Sequence, residues 1–322
     1  MAEITSAYEA YEAIKGLSWD DLHDATDLMN QAIDERLADS KVRELIFSEE
    51  VTEGLTVSWL TEVPAGDENG VPRIAEFAEA PVIDPSKGAD NFAKLDANAV
   101  SARVSYEQTK LRAGVHVQRE INHLTRTIQM NDSRTAMAAL NKGVLATDPR
   151  LKVETYELDT PWINPDIDPL DDLLRANELI QSAEMNGIQF GYKGDTLWLN
   201  PVTASRLKHH KAIRSLYIGN MADSNPLFNG ALGNIAGQFN VIEDQALPMG
   251  EGWLFQGGDV SGSTIGTEFV WDQGRGETTP FYADGGETSR GGMTRSFRSD
   301  YSKWNAHGLR APKAIVKLTN LV

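Results

Sequence analysis

The residues that could do chemistry are few, and their spacing argues against it. His209 and His210 are adjacent, so on a regular helix they point apart and cannot chelate one ion; a solvated pair is the plainer reading. His116 and His123 lie on one face of a helical run but two turns apart, and read as surface histidines. Asp166, Asp168, Asp171 and Asp172 could offer oxygen ligands to calcium, but their spacing and the interleaved prolines break any EF-hand pattern. They read instead as acids at a helix start, where negative charge is favoured. Gly250-Glu-Gly252 begins a dinucleotide fingerprint that fails at Phe255, and Gly274-Arg-Gly276 fails likewise at Thr279. His-Glu-x-x-His, Walker and Gly-x-Ser-x-Gly motifs are absent. Cysteine is absent too, which excludes thiolate nucleophiles, thiolate zinc sites and disulfides. The expectation is a protein that is not an enzyme, with no catalytic residues, no cofactor and no metal.

Charge is unevenly spread. The net charge is −17, and residues 1–90 hold 21 of the 47 acids but only 6 of the 30 bases, so the acidity belongs to the first third. Clustered Lys and Arg are what phosphate binding needs, so specific nucleic-acid recognition is disfavoured. Acidic surface also simply keeps a protein soluble. The first residues lack the basic and apolar regions of a signal peptide, and no apolar run approaches bilayer length, so neither secretion nor membrane spanning is expected. The 322 residues suit one large domain or two interleaved ones.

The elements say more than the motifs. Ser18-Trp-Asp-Asp21 reads as a capping box, and Leu22, Ala25, Met29, Ile33 and Leu37 follow at helical spacing. This amphipathic helix is either a peripheral helix of its own subunit or an arm lying on a neighbour. Leu55–Val63 reads as a strand, residues 64–70 as a polar turn, and Val71–Ile83 as a second strand whose prolines at 72 and 81 bar it from a sheet centre. Such a two-stranded ribbon is weakly stable alone, so it packs either on another chain or on its own domain. A strand is expected over 99–106, and after Gly114 a helix from Val115 to about Lys142, roughly 42 Å long. Val117, Ile121, Leu124 and Ile128 give it one narrow apolar stripe. Residues 151–158 read as a strand, Asp168-Pro-Leu-Asp-Asp172 as the start of a helix reaching Gly187, and Thr196–Asn200 as a buried strand stepping at Pro201 into a short helix. Short strands between Gly-rich turns follow around 237–242 and 251–256.

In this order the parts resemble the major capsid protein family of tailed bacteriophages, the Hong Kong 97 fold. Asp195-Thr-Leu-Trp-Leu-Asn-Pro-Val-Thr-Ala-Ser-Arg-Leu207 is similar to that family's strand-to-helix step, and Asn225–Ile242 to its glycine-punctuated segment before a short strand. Met293–Val322, with Ala-Pro-Lys-Ala-Ile-Val-Lys, resembles its return to the peripheral domain. The resemblance implies an α+β fold: an N-terminal helical arm (1–51), an extended β-hairpin loop (52–90), a peripheral domain (91–168 and 290–322) with a spine helix at 115–142, and an axial domain (169–289). It implies hexamers and pentamers of one chain closing an icosahedral shell around double-stranded DNA, in a virion assembled in the host cytoplasm. The partners implied are copies of the chain, a portal, a separate scaffolding protein and a decoration or cementing protein, with DNA near but not specifically bound and no membrane.

Leu55, Val57, Trp59, Arg73, Ile74 and Phe77 are the loop's candidate assembly residues. Leu22, Met29 and Ile33 are the arm's, with Arg290, Arg295, Arg298 and Lys303 as candidate basic partners for its acids. Self-cross-linking relatives place a Lys on the loop and an Asn with a Glu before the terminal strand. Here residues 54–86 hold no Lys and 295–312 no Glu, so intersubunit isopeptide bonds are not expected. An encapsulin-type nanocompartment shell shares the fold and is the alternative. An acidic cytosolic carbohydrate-active or binding protein is a further one, supported only by scattered Trp and Asp.

Overall fold

The structure, a computed structural model, describes residues 30, 33, 45–64, 88–216, 234–235, 238–258, 264–285 and 294–322. Strands β1 (Phe47–Thr52), β2 (Thr56–Leu60), β3 (Asp90–Lys94) and β4 (Asp96–Ser105) precede the long helix α1 (Tyr106–Val144). Then come β5 (Glu154–Glu157), α2 (Pro169–Gln181), β6 (Glu184–Met185), β7 (Ile188–Gln189), β8 (Thr196–Leu199), α3 (Pro201–His209) and α4 (Lys211–Leu216). The remainder is β9 (Asn234–Ile235), β10 (Phe239–Glu243), β11 (Gly252–Phe255), β12 (Gly266–Thr278), β13 (Tyr282–Ala283), β14 (Ser296–Leu309) and β15 (Ile315–Thr319).

Helix α1 is 39 residues, about 58 Å of helix, and starts nine residues before the expected Val115. Ser105 explains the earlier start. Its Oγ accepts from Gln108 N at 3.3 Å while Gln108 Oε1 accepts from Ser105 N at 2.9 Å, a reciprocal cap. The helix therefore runs through Gly114, whose cost of about 1 kcal/mol relative to Ala is offset by the cap and by burial on either side. The expected stripe of Val117, Ile121, Leu124 and Ile128 is buried, against Ala102 and Val104 of β4, Phe281, and Phe297 and Tyr301 of β14. Two turns further on, Ala136 and Leu140 enter a second, larger core with Trp198, Trp253, Phe255 and Ile315. One helix thus stitches two cores together.

Each core lies on a mixed sheet. The first sheet runs β1-β12-β14-β13, with β4 also paired to β14 from Ser105↔Ser296 to Asp96↔Asn305. The second runs β5-β15-β11-β8-β10-β9. β8 and β11 are buried at every position, so they read as continuous apolar runs without alternation. α2 packs on this sheet, capped by Asp168, whose carboxylate accepts from Leu170 N at 3.0 Å.

Three strand pairings cross the expected boundaries. Residues 47–51 of the expected arm, with Thr52 of the expected loop, form β1, parallel to β12 in the subunit's own sheet. β12, expected in an axial segment reaching 289, pairs with β1 and β14 beside α1. The closing strand β15, expected to return to the peripheral part, lies between β11 and β5 in the other sheet. Long-range strand pairing decides all three, and local sequence carries no trace of it.

Candidate assembly surfaces

The base of the hairpin is anchored to its own subunit. β2 pairs antiparallel with β3, Thr56↔Lys94 through Leu60↔Asp90, so the described partner of the first strand is residues 90–94; the second strand expected at 71–83 lies outside the described residues. Val57 is buried with Leu95 and Phe269, and Trp59 packs on Phe269 with ring centroids 5.4 Å apart. Trp59 Nε1 also donates to Leu309 O at 3.0 Å. That close approach needs Gly308, since a Cβ there would meet Trp59 Cε2 and Phe269 Cε2 at 2.8 Å. Above it, Tyr192 OH donates to Glu62 Oε2 at 2.8 Å, and burial together with the Glu62 carboxylate pushes the phenol far above its ordinary pKa. Leu55 sits at the solvent edge, and Arg73, Ile74 and Phe77 lie outside the described residues.

The other apolar residues of this base face outward. Phe92 on β3 is 80% exposed and Leu145, just past α1, 81%. With Trp59, Leu151, Leu309 and Pro312 they line an open groove of about 420 Å³. A subunit on its own gains nothing by leaving large apolar side chains in water, and contiguous exposure of this kind marks interaction surfaces. Phe92 was not singled out from sequence because Asn91, Ala93 and Lys94 give it no apolar period.

Within the arm's expected helix, Asn30 and Ile33 are described. Ile33 is buried in the core of the first sheet, and Asn30 Oδ1 accepts from Thr278 N at 2.9 Å and from Thr278 Oγ1 at 2.5 Å. At these positions the arm lies on its own subunit; Leu22 and Met29 are outside the described residues. The expected basic partners are differently employed. Lys303 is buried with its ammonium on Glu268, so it presents no charge to an arm outside; this corrects the expectation. Arg298 Nε lies 2.5 Å from Asp300 Oδ1. Arg295 is exposed, with φ of 51°, and Arg290 lies outside the described residues.

Asp300 shows how this surface is tuned. Partial burial alone would raise its pKa, but hydrogen bonds from Arg298, Ser101 and Tyr282 outweigh that and hold it below the usual carboxylate range. Asp172 goes the other way. Burial pushes its pKa up although Trp162 Nε1, at 3.2 Å, and Tyr156 OH, at 3.3 Å, both donate to it. Asp172 is thus both an acid in the first turn of α2, as expected, and an acceptor for two aromatic donors. His210 corrects the reading of a solvated pair: it is buried, with Nε2 2.9 Å from Asn164 O, while His209 is exposed. Among the described residues no three His, Asp or Glu side chains gather as a metal site, and no helix is long and apolar enough to cross a membrane.

No protein-family model matches the chain, nor does any curated protein. Solved structures do match. A phage-related protein from Bordetella bronchiseptica RB50 superposes with a TM-score of 0.54 at 16% identity, over 100% of this chain and 98% of that one. A virus-like particle from Pyrococcus furiosus gives 0.54 at 13% identity, over 92% and 99%. The capsid structure of the cyanophage P-SCSP1u gives 0.54 at 12% identity, over 86% and 88%. The chain has the fold of a phage capsid protein. At these identities the likeness is one of fold, and it spans nearly the whole chain. Among the described residues the groove at Phe92 and Leu145 faces outward, as do Leu111, Ile163 and Met249 elsewhere on the subunit.

Proposed function

We propose that this chain is the major capsid protein of a tailed bacteriophage, and that copies of it assemble as hexamers and pentamers into an icosahedral shell around double-stranded DNA. One observation carries the reading: Phe92 and Leu145, each about four-fifths exposed, stand open at a groove beside the β2–β3 hairpin base. A second copy would cover that groove. The capsid-type fold over nearly the full chain supports the same reading. In it, residues 1–51 are the arm, 52–90 the extended loop with Leu55, Arg73, Ile74 and Phe77 as contacts, and Leu22, Met29, Arg290 and Arg295 further contacts. A scaffolding protein, a portal and a cementing protein are the partners proposed.

The likeness to a virus-like particle favours a second reading, a nanocompartment shell that holds protein cargo. Sedimentation and electron microscopy of the purified protein, alone and with a scaffold, test the main proposal. Closed particles are expected, and a strictly monomeric species under every condition counts against both readings. Nuclease-protected double-stranded DNA in particles from the native source separates the phage shell from the nanocompartment. Deleting residues 64–70 with the adjoining strands is expected to leave a folded subunit that no longer closes shells.

A further inference from the structure

Lys303, Glu268 and Asn305 form a cluster buried within the subunit. They are 3%, 0% and 4% exposed. Lys303 and Asn305 are two apart on β14, so their side chains project from the same face with Cα atoms about 7 Å apart, within reach of a lysyl chain. Lys303 Nζ donates to Glu268 Oε1, and Asn305 Nδ2 donates to the same oxygen at 2.7 Å. From the neighbouring strand β4, Asn98 Nδ2 donates to Asn305 Oδ1 at 2.7 Å. One carboxylate oxygen therefore touches both an amine and a carboxamide nitrogen, while a separate donor polarises the carboxamide carbonyl. A cavity of about 100 Å³, lined by Asn98, Thr127, Asp132, Lys303 and Asn305, adjoins the cluster.

We propose that Lys303 and Asn305 become joined by an amide bond within the subunit, formed by the folded chain itself. Glu268 takes one proton from the Nζ ammonium across their contact, leaving an amine. The Nζ lone pair attacks Asn305 Cγ, and the negative charge that develops on Oδ1 is met by Asn98 Nδ2–H. The Nζ–Cγ bond forms and the Cγ–Nδ2 bond breaks. One Nζ hydrogen passes by way of Glu268 to Nδ2, and the proton first taken up by Glu268 leaves with the ammonia as ammonium. Nothing is oxidised or reduced, and no co-reactant is needed. A lysine nucleophile, a carboxylate in contact with it and an oriented electrophile are the parts such a step requires. The adjoining cavity, with Asn98, Thr127 and Asp132 among its lining, receives the leaving group. The proposal rests on the subunit fold and is independent of shell formation.

Mass spectrometry of the soluble full-length protein tests it. The chain is expected to weigh one ammonia, about 17 Da, less than its sequence. Succinimides at Asn69-Gly70, Asn186-Gly187 or Asn229-Gly230 would lose the same mass, so the position is read by tryptic mapping. The linkage keeps residues 299–303 and 304–310 together as one light fragment. Lys303→Arg, Glu268→Gln and Asn305→Asp are each expected to abolish the linked fragment, and altering the positioning residue by Asn98→Leu to slow its formation. Separate fragments 299–303 and 304–310 at full mass in the wild-type protein overturn the proposal whether or not the variants fold. A shortfall that persists in Lys303→Arg overturns it as well.

Discussion

At the scale of single residues, the structure turns apparent surface charges into partners. Asp300 is the clearest case, because three donors converge on a carboxylate that burial alone would have disfavoured. Its folded-state pKa is depressed, so its contribution to stability is present above the ordinary carboxylate range and is lost as pH falls through the depressed value. Asp300→Asn is therefore expected to destabilise the subunit at neutral pH, and the gap from the wild type is expected to close in strong acid. Urea unfolding at pH 7 and in the acid limb measures both. An unchanged gap in acid would show that the side chain acts through packing and not through its charge.

At the scale of elements, α1 is where local signals and packing can be separated. The Ser105–Gln108 box sets its first turn and the buried stripe sets its middle. Ser105→Ala is expected to cost about 1 kcal/mol by losing the cap, measured by chemical unfolding, with hydrogen exchange faster only in the first turn. Leu140, fully buried in the larger core, is expected to cost about 2 to 5 kcal/mol when cut to Ala. The two substitutions are more than 30 residues apart and share no partner, so their effects are expected to add. The hairpin base behaves as part of the same element set, since Trp59, Gly308 and Phe269 lock it to β12 and β14.

At the scale of the whole molecule, stability of the subunit and of the proposed shell are expected to come apart. Phe92 is mostly in solvent, so Phe92→Ser is expected to change subunit stability by no more than about 0.5 kcal/mol while preventing particle closure, read by sedimentation. A variant that assembles normally would remove the groove from the interface. Particles boiled and run on a denaturing gel are expected to give a single band near the monomer mass, because residues 54–86 carry no lysine amine to link to a neighbour. A ladder of covalent rings would contradict this. The internal Lys303–Asn305 bond leaves the single band unchanged, so the gel and the mass measurement answer separate questions.

By itself the sequence determined what depends on near neighbours. The stripe of Val117, Ile121, Leu124 and Ile128, the helix start at Asp168-Pro169, the buried run at 196–199 and the step at Pro201 were legible because helical period, helix-start chemistry and apolar continuity are local. What the tertiary structure decided was pairing over long distances. β1 on β12, β15 between β11 and β5, and the thirteen- and fourteen-residue strands β12 and β14 interrupted by glycines and polar residues carry no local mark of their partners. The burial of Lys303 on Glu268 is of that kind. The two residues are 35 apart, and a lysine flanked by Ser302 and Trp304 reads as surface until the strand bearing Glu268 is laid beside it. Strand register is fixed by which faces are buried together, and that property belongs to the assembled sheets and not to any single segment.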